Sequence, residues 1–396
     1  MKVKIFGIGA AGNKAAIEAV EQKVVPMNDV FLVNTSLKDI PEKYKKSPDN
    51  IIKFGSGLGG CGKEPIKGHK AIVEAIKKGD VDLSEYIDVD TKMVAIVTSV
   101  EGGTGSGATP IIAKYFVALN MPVHVFCFIG FQDETRGINN TLRFFKELPE
   151  GIVLHTIRNS SFIDYTGVYS KAEAAANIEF AKQLEVLTGA KMIPSSQNID
   201  EMDHYKICTT PGYMDIRCNI PLNGIKNVDM SNAAIIKSFD DMASMEYAKA
   251  AKRLAVIINA DKACDHIDNS FEVIKRYTGE PFEVFRHVQN NESYNKEFMD
   301  IIIAGLPYPE DGIKDMANKF KDLKSKLNSE SKEMSDIFDD IDFDEEDETE
   351  TNLKTLKNPS DAIAAILGEK PIGGKIHNNH HNVIDNIYDN DEEDDY

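Results

Sequence analysis

Apolar and polar positions along the first 130 residues alternate between two periods. Short apolar runs, "VKIFGIG", "VFLVNTS", "MVAIVTSV" and "VHVFCFIGF", read as strands, while "NKAAIEAVEQ", "GHKAIVEAIKKG" and "ATPIIAKYFVALN" between them space their apolar residues along one face of a helix. This alternation predicts a parallel α/β sheet whose ligands bind beyond the carboxyl ends of its strands. A long helical segment follows from about Ser170 to Thr188. Next comes a second α/β unit containing "YMDIRCNI", a helical stretch around Ser231 to Ala251, "RLAVIINA", "SFEVIKRY", "FEVFRHV" and "FMDIIIAG". An amphipathic helix at about Gly312 to Leu327 closes the folded part. The expected organisation is therefore α/β. A parallel-sheet domain spans residues 1–168, a central helix 169–190, a second, smaller α/β domain 191–306 and a C-terminal helix 307–328, with a tail over 329–396.

Composition adds three constraints. The chain has 396 residues of which 42% are hydrophobic, enough to bury a sizeable core. Its longest apolar runs fall far short of the ~20 residues a membrane helix needs, so membrane insertion is not expected. Five cysteines without CxxC spacing and no separate signal segment favour a reducing, cytoplasmic setting, with neither a disulfide nor a zinc site indicated. The net charge of −19 is concentrated at one end: from Glu330 onward there are 21 acidic and 5 basic residues, net −16, which leaves −3 for the rest. Such charge density with few apolar residues predicts disorder. Within this tail Ser360 is placed to cap a short helix bearing Ile363, Ile366 and Leu367, either a partner-docking peptide or an incidental cluster in a solvating tail. The histidines His377, His380 and His381 are weak candidates for metal.

The chemistry gathers at strand ends. "EGGTGSG", Glu101 to Gly107, puts four glycines, a threonine and a serine between a strand and a helix. Glycines let the backbone approach a ligand closely, and a helix start presents unpaired N–H groups at the positive end of its dipole, so the stretch suits phosphate. No Gly-Lys-Ser/Thr follows, so this is not a Walker A loop, and amide and hydroxyl donors must act without the usual lysine. Gly7, Gly9 and Gly12 fit G-x-G-x-x-G after the first strand, which opens a rival reading as a Rossmann-type, nucleotide-dependent oxidoreductase. Yet the second strand ends in Asn34, Thr35 and Ser36, where that fingerprint wants an acid for the adenosine ribose. A third glycine stretch, "GSGLGGCG" at Gly55 to Gly62, has no place in it either. Three amide-rich loops at neighbouring strand ends suit a triphosphate better.

"GGTGSG" at Gly102 to Gly107 resembles the signature loop of the tubulin and FtsZ superfamily, and "GAAGN" at Gly9 to Asn13 resembles its first phosphate loop. "NIDEMD" at Asn198 to Asp203 has the form Asn-x-Asp-x-x-Asp just after the long helix, where that family places its catalytic loop. The resemblance covers about residues 1 to 306. It implies a GTP-binding domain over 1–168, an activation domain over 191–306 with its catalytic loop at 198–203, and head-to-tail polymerisation that switches on GTP hydrolysis.

Carried over residue by residue, the resemblance implies that Gly9, Ala10, Ala11, Gly12 and Asn13, with Gly102, Gly103, Thr104, Gly105 and Ser106, wrap the phosphates of GTP. Mg²⁺ would be held mainly by phosphates and water, since no loop here offers a clustered all-protein cage. Asn159 and Asn177 match the guanine-reading positions, and Glu134 resembles the ribose-side acid. Asn198, Asp200 and Asp203 would form the catalytic loop, its acids lying across the central helix from the phosphate loops and acting on a neighbour's nucleotide. Taken without the family, Asn159 is a helix cap, Asn177 an exposed helix position and "NIDEMD" a helix start. The chain departs from the family at Glu101, where FtsZ usually has glycine, at Ile138, where bacterial FtsZ has arginine, and near Glu173, where an aromatic packs on the base. Arg136 and Tyr169 are the candidate replacements. These divergences make the chain similar to plasmid- and phage-encoded tubulins of the TubZ type, whose filaments move DNA; an FtsZ-like division protein is the alternative. The acidic tail would be repelled by DNA, so the expected partners are further copies of the chain and a basic adaptor, not nucleic acid itself.

Overall fold

The computed structural model describes residues 1–55, 59–195, 198–225, 227–240, 250–260, 265–294 and 296–330. The tail from residue 331, with the expected Ser360 helix and the histidines at 377–381, lies outside the described residues, as do 56–58 of the third glycine stretch.

Ten strands, β1 (Val3–Ile8), β2 (Val30–Asn34), β3 (Ile51–Lys53), β4 (Met93–Ser99), β5 (Val123–Ile129), β6 (Val153–Arg158), β7 (Gly212–Pro221), β8 (Arg253–Asn259), β9 (Glu283–Gln289) and β10 (Phe298–Leu306), form one sheet in the order β3-β2-β1-β4-β5-β6-β7-β10-β8-β9. The first seven pair in parallel; β10 runs antiparallel to both β7 and β8, and β9 lies parallel to β8 at the edge. The helices are α1 (Gly9–Glu21), α2 (Glu42–Lys45), α3 (Pro65–Lys77), α4 (Thr104–Ala118), α5 (Thr135–Glu147), α6 (Ile163–Thr166), α7 (Tyr169–Thr188), α8 (Glu201–Cys208), α9 (Val228–Asp240), α10 (Asp265–Thr278) and α11 (Glu310–Glu330).

The continuous apolar runs seen in β1 and β5 are what burial on both sheet faces demands, and every residue of these strands is buried. On one face α1, α7 and α8 close a core through Ala15, Ile17, Phe180, Leu184 and Ile207. On the other, α3, α4 and α5 pack Ile72, Ile112 and Phe144 onto the sheet, and α9, α10 and α11 continue this layer with Ile235, Ile274 and Met316. The expected central helix is present as α7. The strands of the expected second unit do not form a sheet of their own: β7 joins β6 through Val153↔Gly212 and Leu154↔Tyr213. Gly212 makes the junction possible with φ +124, since a Cβ there would meet Leu306 O at 2.7 Å.

The parallel strands all point their carboxyl ends the same way, so the turns after β1, β4, β5 and β6 share one rim with the start of α7. The far end of α7 delivers the chain to 189–200 on the opposite rim. With a rise of about 1.5 Å per residue, its 20 residues separate the two rims by about 30 Å.

Candidate active site

The turns after β1 and β4 are drawn together by glycines. Gly9 takes φ +74, and a Cβ on it would stand 3.2 Å from Gly105 N, so the starts of α1 and α4 nearly touch. Neither helix has a capping side chain or an acidic residue in its first turn, which leaves two sets of N–H groups and two positive dipole ends facing one space. Asn13, fully buried in α1, has both side-chain amide atoms without a partner among the described residues. These features fit an anionic, hydrogen-bonding ligand. Ala10 is exposed, Ala11 half-buried and Gly12 buried along the same turn.

The glycines of the second loop divide by role. At Gly105 a Cβ would lie 2.2 Å from Thr98 Oγ1 and 3.2 Å from Ile8 O, and at Gly103 it would lie 2.7 Å from Glu64 N and 2.8 Å from Cys61 Cβ. At Gly102 it would meet nothing within 4 Å. Packing of loop on loop therefore requires Gly103 and Gly105, while Gly102 borders open space. The two hydroxyls of the loop have protein partners: Thr104 Oγ1 lies 3.1 Å from Thr35 Oγ1, and Ser106 Oγ donates to Gly102 O. Each oxygen keeps a lone pair for a ligand or a cation.

Glu101 opens this loop, and its carboxylate turns away from the α4 start. A Cβ on Gly130 would fall 2.0 Å from Glu101 Oε2, and one on Gly137 would fall 3.2 Å from its Cδ, so the acid is wedged between the turn after β5 and the first turn of α5. Asn140 of α5 donates to Glu101 O at 2.9 Å and to Lys63 O at 3.0 Å, clipping the third glycine stretch to the second. Burial pushes the Glu101 carboxyl up; the facing Gln132 amide and Lys63 oppose this, while Asp133 and Glu134 add to it.

Toward the other side of the rim, Asn159 follows β6 with a buried, unpartnered Oδ1. Asn177 is half-buried in α7, which packs on both α1 and the turn carrying Asn159. Asn13, Asn159 and Asn177 therefore belong to one helical layer. Glu134 is exposed and pairs with Lys63, while Arg136 Nη2 lies 3.9 Å from Glu64. Ile138 is fully buried in the core and Glu173 is exposed. Tyr169 begins α7 and stacks on Phe131 with centroids 4.2 Å apart, an aromatic platform at the rim. Sequence reasoning missed Phe131 and Lys63: neither sits in a motif, and each acquires its partner only through folding.

The acidic loop lies at the other end of α7. Asp200 caps α8, its Oδ1 accepting from Asp203 N at 2.7 Å, so the plain helix-start reading of this stretch is also true. Asn198 and Asp200 are exposed, and Asp203 is half-buried. Burial, and then the charge of Asp200, pushes the Asp203 carboxyl up. Asn198 and Asp200 line an open cleft of about 340 Å³ together with Thr188, Gly189, Met192 and His204. Burial pushes the His204 imidazole down to about 4, so it stands there neutral.

Comparison with known proteins bears out the superfamily resemblance. Residues 2–165 match the Tubulin/FtsZ family, GTPase domain. The cell division protein FtsZ of Aquifex aeolicus (strain VF5) is 25% identical over 351 residues, covering 82% of this chain and 88% of that one. Among solved structures, the tail-truncated TubZ of Clostridium botulinum phage c-st is similar with a TM-score of 0.62 at 19% identity, covering 82% of this chain and 98% of that chain. CetZ2 from Haloferax volcanii, solved as a GTPγS-bound protofilament, gives 0.64 at 17% identity, covering 83% and 100%.

Proposed function

We propose, from an N-terminal segment that matches a tubulin/FtsZ GTPase domain, that this chain is a GTPase whose subunits assemble head to tail and whose active site is shared between neighbours. One observation carries the reading: the converging helix starts and the acids of the 198–203 loop stand at opposite ends of α7, about 30 Å apart, so one subunit cannot bring both to one phosphate. A contact joining the cradle of one copy to the acidic loop of the next is heterologous and open-ended, and it yields a filament.

In this site the amides of 9–13 and 102–106 hold the phosphates of GTP, and Asn159 and Asn177 supply carboxamides that both donate and accept at a base edge. Glu134 faces the ribose, and the Phe131–Tyr169 stack offers a surface for the base. Mg²⁺ would be bound by the phosphates, water and the free lone pairs of Thr104 and Ser106, and when present it neutralises phosphate charge. From the neighbour, Asp200 and Asp203 orient a water in line with the γ-phosphorus, Asn198 lines the cleft beside Asp200, and water oxygen replaces the leaving GDP oxygen. Burial and the charge of Asp200 raise the Asp203 carboxyl, which favours its taking a proton from that water.

The TubZ likeness and the acidic tail favour filaments that position plasmid or phage DNA through a basic adaptor, in the cytoplasm. The FtsZ relative, matched along most of both chains, supports a division role as the second reading. The mechanism is tested by mixing two defective subunits. Asp203→Ala binds GTP but lacks an acid; Gly102→Asp folds, because its site is open, but repels the triphosphate. The mixture is expected to hydrolyse GTP where neither does alone. Proven co-assembly without recovered hydrolysis would overturn the shared site.

A further inference from the structure

Helix α11 runs back across the molecule and lies against α5, the helix that follows the turn 130–134. Ile313, Phe320 and Leu323 of α11 pack onto the core that contains Ile138 and Phe144 of α5. From this helix Lys319 Nζ donates to Gln132 O at 2.7 Å. Gln132 is held at φ +56, a conformation that costs a non-glycine residue free energy unless its surroundings impose it. The Gln132 amide faces the Glu101 carboxylate, which is wedged over Gly130 and Gly137. Glu101 leads directly into the open Gly102. One contiguous set of contacts thus runs from the C-terminal helix to the phosphate cradle, through an acid whose Oε1 is buried without a partner among the described residues.

We propose that Glu101 is a positioning residue for the triphosphate: its side chain latches the 101–107 loop to the 130–134 turn, and α11 sets the latch through Lys319 and Gln132. This rests on the GTP-binding reading above. A residue whose work were only to fill space would tolerate loss of its acceptor atoms. A latch requires the acceptor, and thermodynamic linkage then requires that GTP, by fixing the loop, tighten α11 on α5 by the same factor that α11 tightens GTP. The acidic stretch from residue 331 follows α11 directly in sequence, so a partner gripping that stretch acts on the nucleotide through the same contacts.

The experiment uses the full chain and reads two quantities: the release rate of a fluorescent GTP analogue, and hydrogen exchange of the α11 amides with and without GTP. Glu101→Gln keeps an acceptor, Glu101→Ala removes it, Gly130→Ala evicts the carboxylate with its charge intact, and Lys319→Met breaks the contact at α11. Comparing Glu101→Gln with Glu101→Ala cancels the effect of the lost charge. We expect GTP to slow α11 exchange in the wild type and in Glu101→Gln. Glu101→Ala and Gly130→Ala should release nucleotide about tenfold faster and lose the slowing. Lys319→Met, at an exposed contact, should release it about threefold faster. Equal release from Glu101→Ala and Glu101→Gln, or α11 exchange in the wild type indifferent to bound GTP, overturns the latch. Should Glu101→Ala not fold, Gly130→Ala and Lys319→Met decide. A folded wild type that binds no GTP refutes the functional reading instead.

Discussion

Gly102 and Gly105 stand three residues apart in one loop, yet the structure assigns them different duties, and alanine at each position separates fold from ligand. At Gly105 the new methyl would stand 2.2 Å from Thr98 Oγ1, 3.0 Å from Ser99 O and 3.2 Å from Ile8 O. Two of these atoms are backbone, and Thr98 is fully buried with its hydroxyl bonded to Ile8 O at 3.2 Å, so nothing nearby yields cheaply. Overpacking of this kind costs about 1–3 kcal/mol, which in a chain of this size lowers the melting temperature by roughly 1–2 °C per kcal/mol. At Gly102 no atom lies within 4 Å of a Cβ and φ is not left-handed, so alanine is tolerated and adds about 0.4–1 kcal/mol by restricting the unfolded chain.

The ligand response runs the other way. If the proposed site is right, a methyl on Gly102 projects into the space taken by the phosphates and displaces one charge-assisted hydrogen bond, worth about 1.5–3 kcal/mol or roughly ten- to a hundredfold in affinity. Thermal unfolding with and without GTP measures both effects, because ligand stabilisation follows RT ln(1 + [L]/Kd). We expect Gly105→Ala to melt lower without nucleotide. Gly102→Ala should melt at or above the wild-type temperature without nucleotide and lose much of the shift that GTP confers. A Gly102→Ala protein that binds GTP at wild-type affinity, or a Gly105→Ala protein of wild-type stability that has lost GTP, would refute this division of roles.

Asp200→Ala and Asp203→Ala should each slow GTP hydrolysis by ~10²-fold or more, yet only Asp200→Ala should lose about 0.5–2 kcal/mol of stability, since Asp200 alone caps α8; wild-type turnover by Asp203→Ala would remove it from the mechanism. GTP should bind at least roughly tenfold tighter than ATP, because a mismatched base leaves buried carboxamides unpaired; equal titrations would withdraw Asn159 and Asn177 as base readers. Burial holds His124 down to about 3 and His155 also well below its ordinary value, so their contribution to stability is present above about pH 6.5 and is lost as pH falls below it. His155→Phe, which keeps the stack on Phe126, should flatten the acid fall of the melting temperature, and an unchanged slope would refute this assignment. Deleting 331–396 should leave GTP binding intact while changing bundling or partner recruitment; a deleted chain unable to bind GTP would make the tail part of the site.

The parallel strands, α7 and the order of the three loops were legible in the sequence because each rests on a local period or a contiguous motif. β6 and α5 were not. "VLHTIR" breaks its apolar run with His155 and Thr156, both nonetheless buried, and "TRGINNTLRFFKE" carries Gly137 and a pair of asparagines where a helix pattern wants apolar spacing. Gly137 is there because Glu101 presses on it, and Asn140 because two loops need its amide. Pairings such as Lys63 with Glu134, 71 residues apart, or Lys319 with Gln132, 187 apart, leave no trace in spacing. The expectation that the glycines serve a phosphate left out a second requirement: Gly103 and Gly105 answer first to their protein neighbours.

That reason explains how such a site can do without a lysine. Gly105 lets α4 start against the end of β1, and Gly9 lets α1 start against Gly105, so two helix dipoles and their uncapped N–H groups converge although neither 9–13 nor 101–107 carries a basic residue. The attraction for an anion is then built into the packing, and it persists as long as the loops stay in place. An acid beside such a cradle would cancel part of it by pointing inward. Glu101 instead directs its carboxylate to the start of α5, whose own dipole favours it, and leaves only its backbone to the cradle. Its charge is thereby spent on holding two loops together, and the cradle's affinity for a triphosphate becomes a function of whatever holds α5 and α11 in register.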